Sequence, residues 1–250
     1  RFIAFMAVMV KKNPIEAFSS KIYFAFFVTT FQIERYNSLM VDAFNSAVVS
    51  CVNTHTDFSV STFGTVLSIL DWMIANSSLE DLDNSCPLLD SIAENIQLMN
   101  WEILKVFEES HFFDGVMTSL KQKQTERVLC SFLQMAKALS FKFPEAIRMF
   151  TANKTLLFTT LIHSKLTSQM YTTIRSIMFN SNTEGVIMNP IALKLLYSVV
   201  PNTAFEESFL AMLIRVCSSS LSNIFECINS GILDYLFSRI CKSELTKACI

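Results

Sequence analysis

The chain has 250 residues, a formal net charge of −2, 51% hydrophobic side chains and only 17% charged ones. That balance lacks the basic footprint of a nucleic-acid or anionic-lipid binder. Four glycines and five prolines in the whole chain also argue against a turn-rich β protein, because tight turns consume Gly. A mean hydropathy of +0.39 implies helices covered on more than one side.

In chain order, the first apolar runs are "FIAFMAVMV" (2–10), stopped by Lys11 and Lys12, and "IYFAFFVTTFQI" (22–33), interrupted by Thr29, Thr30 and Gln32. A spanning helix needs about 20 apolar residues. Both runs are too short, so the first reads as a buried helix and no direct membrane insertion is expected. Next, "YNSLMVDAF" (36–44) and "FSVSTFGTVLSILDWMI" (58–74) suggest a further helical unit. "EDLDNS" (80–85) clusters Glu80, Asp81 and Asp83 but lacks the turn Gly and closing Glu of a calcium loop. It reads as a solvated inter-helix loop. Trp72 and Trp101 fall in apolar helical runs and read as core.

From residue 100 onwards the helical periodicity is clear. "TERVLCSFLQMAKALSF" (125–141) places Val128, Leu129, Phe132, Met135, Ala136 and Leu139 on one stripe. "SQMYTTIRSIMF" (168–179) does the same with Met170, Tyr171, Ile174, Ile177 and Met178. "FEESFLAMLIRVC" (205–217) does so with Phe205, Phe209, Met212, Leu213, Val216 and Cys217. Each follows the i, i+3, i+4, i+7 pattern of an amphipathic helix, and no long strict alternation argues for a strand.

Signals of chemistry are sparse. His55, His111 and His163 lie in three segments without metal-ligand spacing, and seven cysteines occur without a C-x-x-C pair. Gly64, Gly115, Gly185 and Gly231 stand singly, so no phosphate-cradling loop is present, and no G-x-S-x-G elbow occurs. No catalytic residue, cofactor or metal is therefore expected. The cysteines read as buried, reduced thiols of a cytoplasmic protein.

A repeat is visible when "HFFDGVMTSL" (111–120) is laid over "CINSGILDYL" (227–236). Gly115 and Gly231 lie 116 residues apart, three periods of about 39, at the edge of the 40–47 residue range of HEAT and armadillo units. Both glycines are expected to end one helix in the left-handed conformation and start the next at a steep angle. In this pattern the chain resembles the armadillo family, whose unit has a short first helix, a Gly, a second helix and a longer third helix. The units would be "NWEILKVFEESHFFDG", "VMTSLKQ", "TERVLCSFLQMAKALSF"; then "PEAIRMFTANK", "TLLFTTLIHSK", "LTSQMYTTIRSIMF"; then "EGVIMN", "PIALKLLYSVV", "TAFEESFLAMLIRVC". A last unit begins with "SNIFECINSG" and "ILDYLFSRI".

The resemblance implies an all-α fold, a right-handed superhelix of armadillo-like repeats over residues 1–250 and clearest over 100–250, with an irregular helical bundle as the alternative. The Trp/Asn pair with which armadillo import receptors hold basic peptides is missing from the third helices. The Phe/Leu/Ser texture more closely resembles the armadillo-like region of large BEACH-type trafficking scaffolds. The expected function is a non-enzymatic protein-protein interaction scaffold with a concave face, in vesicle or membrane trafficking. The alternatives are a helical regulatory appendage of a larger enzyme and a purely structural spacer. Other proteins are the expected partners, rather than nucleic acid or small molecules. The groove residues, opposite the buried stripes, would be Arg127, Ser131, Gln134, Thr172, Arg175, Ser176, Glu207 and Arg215. The end "RFIAFMAVMV", almost without polar residues, and the end "CKSELTKACI", where a third helix would just have begun after Ile240, read as uncapped, as in a piece of a longer solenoid.

Overall fold

The computed structural model describes residues 11–19, 37–54, 57–142 and 166–248, together with 5, 8, 9, 25–27, 29 and 30. Every regular element among them is helical, so the described residues form an all-α fold. It divides into two compact units, residues 1–160 and 161–250. The segments 144–154 and 155–165, His55, His163 and most of 2–10 and 22–33 lie outside the described residues.

In the first unit, α1 (Pro14–Ser19), α2 (Asn37–Thr54) and α3 (Asp57–Asn76) precede a 3-10 turn at Leu82–Ser85. Then come α4 (Cys86–Asn95), a second 3-10 turn at Ile96–Leu98, α5 (Trp101–Glu109), α6 (Phe112–Gln122) and α7 (Glu126–Lys142). Polar side chains mark the starts. The Ile103 amide donates to Asn100 Oδ1 at 2.9 Å and the Val128 amide to Thr125 Oγ1 at 3.1 Å, each satisfying an orphan first-turn donor. α3 is the central element, packed by α1, α2, α5 and α6, and α4 packs along α7. The whole predicted stripe of α7, Val128 to Leu139, is buried. Edge-on phenylalanines link the layers: Phe63 to Phe107 at 5.4 Å, Phe107 to Phe112 at 6.0 Å and Phe113 to Phe132 at 6.0 Å.

α5, α6 and α7 follow the expected short, short, long order, but the first break is not at Gly115. His111 takes the left-handed conformation, φ 50°, between α5 and α6, and Gly115 lies inside α6. The turn assigned to Gly115 is thus corrected by one helical turn. Gly115 meets a different constraint, the close approach of α3: a Cβ there would come within 2.8 Å of Asp71 Cγ and Oδ2.

The second unit contains α8 (Ser168–Phe179), α9 (Pro190–Val199), α10 (Glu206–Ser219), α11 (Leu221–Ser230) and α12 (Ile232–Ala248). Thr167 caps α8, accepting from the Met170 amide at 3.2 Å. Asn180 ends it in the left-handed region, φ 49°. The following loop folds back, with Met188 N and Asn189 N both donating to Met178 O. Asn189 then caps α9, accepting from Ile191 N at 3.1 Å, with Pro190 in the first helical position. Gly231 closes α11 at φ 84°, where a residue without Cβ meets least strain. Residues 184–189, expected as a short helix, are non-helical, and α12 runs unbroken past Ile240, where a further break was expected.

No helix among the described residues is long and apolar enough to cross a membrane.

Candidate functional site

The residues expected to line a groove fall into different environments. In the first unit, Arg127 is exposed, Gln134 is half-buried and Ser131 is buried. Ser131 lies in hydrogen-bonding reach of the Cys86 thiol, which burial pushes up to about 11. It therefore belongs to the α4–α7 packing and is withdrawn as a surface residue. In the second unit Ser176 is also buried, its hydroxyl donating to Thr172 O at 3.0 Å. A hydroxyl satisfied by the preceding turn can be buried without an unpaired donor. Thr172 and Glu207 are exposed.

Arg175 and Arg215 do come together, but on an acid of their own unit. Arg215 grips Glu184 through both oxygens, Nε to Oε2 at 3.0 Å and Nη2 to Oε1 at 2.8 Å, and Arg175 Nη1 lies 3.9 Å from Oε1. The bidentate hydrogen bonds from Arg215 hold the Glu184 carboxyl below the usual range, with the nearby Arg charges adding to the effect. Both arginines thus face Glu184 of the 181–189 loop, Arg215 by hydrogen bonds and Arg175 by charge alone.

The same loop is held from the other side by Asn223, fully buried on α11. Its Oδ1 accepts from Ile187 N at 2.8 Å, and its Nδ2 donates to Gly185 O and Val216 O, both at 3.0 Å. A second polar cluster ties α10 to α12. Arg239 pairs with Glu206 (Nε to Oε1, 2.6 Å) and donates to Asn202 Oδ1, while the Tyr235 hydroxyl donates to Glu206 Oε1 at 3.0 Å. Burial alone would raise the Glu206 carboxyl. The Asn202 amide, Tyr235 hydroxyl and Arg239 outweigh burial and hold it below the ordinary range.

These inward-facing polar groups leave large apolar ones outside. On α11 the buried positions are Asn223, Cys227 and Ser230, spaced i, i+4, i+7. The exposed ones at the same spacing are Leu221, Phe225 and Ile228, 75%, 64% and 48% accessible. α12 repeats the arrangement, with Leu233, Phe237 and Ile240 exposed over buried Ile232 and Tyr235. α11 is thus reversed relative to an ordinary surface helix. The spacing is plain in the sequence, but nothing there says which way the face points. The charged residues of 221–241 are Glu226, Asp234 and Arg239; with Arg239 held by Glu206, half-buried Glu226 and exposed Asp234 are the charges these stretches leave beside the rows.

Two assignments elsewhere change. Trp101 is 54% exposed at the start of α5 rather than core. The 80–85 segment joins α3 to α4 with Glu80 and Asp81 exposed, as expected, but its 3-10 turn buries Leu82 and Ser85 and sets Asp83 Oδ1 to accept from Thr125 Oγ1. Among the described residues no cluster of three or more His, Cys, Asp or Glu could hold a metal ion. The chain matches no family model, no curated protein and no solved structure.

Proposed function

We propose that the chain is a non-enzymatic protein-interaction module, and that its second unit binds a partner through the outward apolar rows of α11 and α12. The observation that carries this reading is the reversal of α11. Evolving Leu, Phe and Ile outward while burying Asn, Cys and Ser makes sense if another apolar surface covers the rows. The partner would be a basic amphipathic helix: its i, i+3, i+4, i+7 ridge complements the two rows, and its cations complement Glu226 and Asp234. The short, short, long order of α5, α6 and α7 supports the armadillo-like reading. The trafficking-scaffold role rests on the sequence resemblance alone.

The test is binding of a fluorescent Leu/Lys amphipathic helical peptide, with a Leu/Glu peptide of equal length as the control. The Leu/Lys peptide should bind the tighter, and Phe225→Ser with Phe237→Ser should weaken it at least about tenfold, since interface aromatics commonly contribute 2 kcal/mol or more. Equal binding by the doubly substituted protein would move the contact surface elsewhere.

A further inference from the structure

Seven cysteines without short spacing gave no motif, yet α10 and α11 bring two of them together. The Cys217 thiol donates to Cys227 Sγ at 3.6 Å across the turn between the helices. Cys217 is half-buried and Cys227 is 4% exposed. Of the other described cysteines, Cys51, Cys86 and Cys130 are buried and Cys241 is exposed. A disulfide needs sulfurs about 2.05 Å apart, so side-chain rotation must bring these two about 1.5 Å closer.

We propose that Cys217 and Cys227 form a reactive dithiol, which small-molecule disulfides such as oxidised glutathione convert to an intramolecular disulfide joining α10 to α11. The exposures assign the roles. Cys217, reachable from solvent, attacks as the thiolate; its sulfur bonds to one glutathione sulfur and the other leaves, taking a proton to become reduced glutathione. Cys227 then loses its proton to solvent and attacks Cys217 Sγ, expelling the second glutathione as a thiol. Two protein thiols are oxidised and one small disulfide is reduced to two thiols. Burial pushes the Cys227 thiol up to about 12, with the neighbouring Cys217 and Glu226 adding to it. That leaves little thiolate at Cys227, so it is the 3.6 Å proximity to Cys217 that drives the second step. The bond would form beside Asn223, on the side of α11 that faces α10, so it is independent of the apolar rows.

Trypsin releases both cysteines in one peptide, residues 216–239, which contains no other cysteine. The whole chain would be treated with oxidised glutathione, denatured, alkylated and digested. The expected product is this peptide with no alkyl group, lighter than its reduced form by two hydrogen atoms, and doubly alkylated if dithiothreitol precedes alkylation. Cys227→Ser should instead trap a glutathione adduct on Cys217, while Cys241→Ser should leave closure unchanged. Full alkylation of both cysteines after oxidation, a persistent adduct on Cys217 in the unsubstituted chain, or closure that depends on Cys241 would each overturn the proposal.

Discussion

Two glycines lack a Cβ for different reasons, and substitutions separate them. At Gly231 a Cβ would meet only Tyr197 Oη at 3.7 Å, an ordinary contact, but the backbone is left-handed. Gly231→Val should therefore lose about 1–2 kcal/mol in urea melts, and Gly231→Asn clearly less, because Asn tolerates positive φ. At Gly115 the backbone is helical and the obstacle is Asp71. Replacing an interior helical Gly by Ala normally gains about 0.5–1 kcal/mol. Gly115→Ala should fail to give that gain until Asp71→Ala is added, a coupling that a double-mutant cycle reads directly. Asp71 also carries a pH signature. Its Oδ1 is buried without a hydrogen-bond partner, and burial raises its carboxyl above the ordinary range. A raised acid favours folding while protonated and loses that contribution as pH rises through the folded-state value. Asp71→Asn should accordingly raise the melting point at neutral pH, and the difference should vanish below about pH 3.9.

Helices of the second unit are positioned by polar side chains that reach across loops. Removing the three hydrogen bonds of Asn223 leaves Ile187 N, Gly185 O and Val216 O to find new partners. At about 1–3 kcal/mol for each buried group left unsatisfied, Asn223→Ala should cost several kcal/mol and speed hydrogen exchange at Ile187. Arg215→Glu would set a new carboxylate against Glu184, so charge reversal at this surface position should lower the thermal midpoint. The exchanged pair Glu184→Arg with Arg215→Glu should recover part of the loss. Glu184 and Glu206 both have depressed carboxyl pKa values. Their contribution is present above the ordinary glutamate value of about 4.3 and is lost as pH falls through the folded-state values. Acid should therefore loosen the 181–189 loop and the α10–α12 contact first, which hydrogen-exchange protection at acid against neutral pH, corrected for the intrinsic rate, would follow.

Across the whole molecule, what the sequence made legible was periodic and local. The stripes of α7 and α8 are buried throughout, and that of α10 is buried from Phe209 to Val216, because burial of an apolar helix face repeats every turn and needs no knowledge of its partner. The displacements arose where a distant group decides. Gly115 resembled a helix end, but its constraint comes from Asp71, on another helix. His111 takes the left-handed position that a sequence reader assigns to Gly. Ser131 and Ser176 looked like surface letters, yet a thiol neighbour and a carbonyl one turn back let them be buried. Arg175 and Arg215 looked like free cations because Glu184 is remote in sequence from Arg215. The outward direction of the rows on α11 and α12 was not legible for the converse reason: periodicity gives the spacing of a face but not its direction.

One end of α3 adds a consequence for motion. Lys123, just beyond α6, donates to Ala75 O at 2.7 Å and also to Ser77 O, placing an ammonium on the exposed carbonyls that end α3. One turn back along α3, Asp71 meets Gly115, in the first turn of α6, in a space only a glycine leaves. Packed helices commonly yield by sliding along one another, a shear that trades one set of side-chain notches for the next. This pair is pinned by Lys123 and keyed one turn away by Gly115, so a one-turn slip would drag a charge off its carbonyls and set Asp71 against a residue that carries a Cβ.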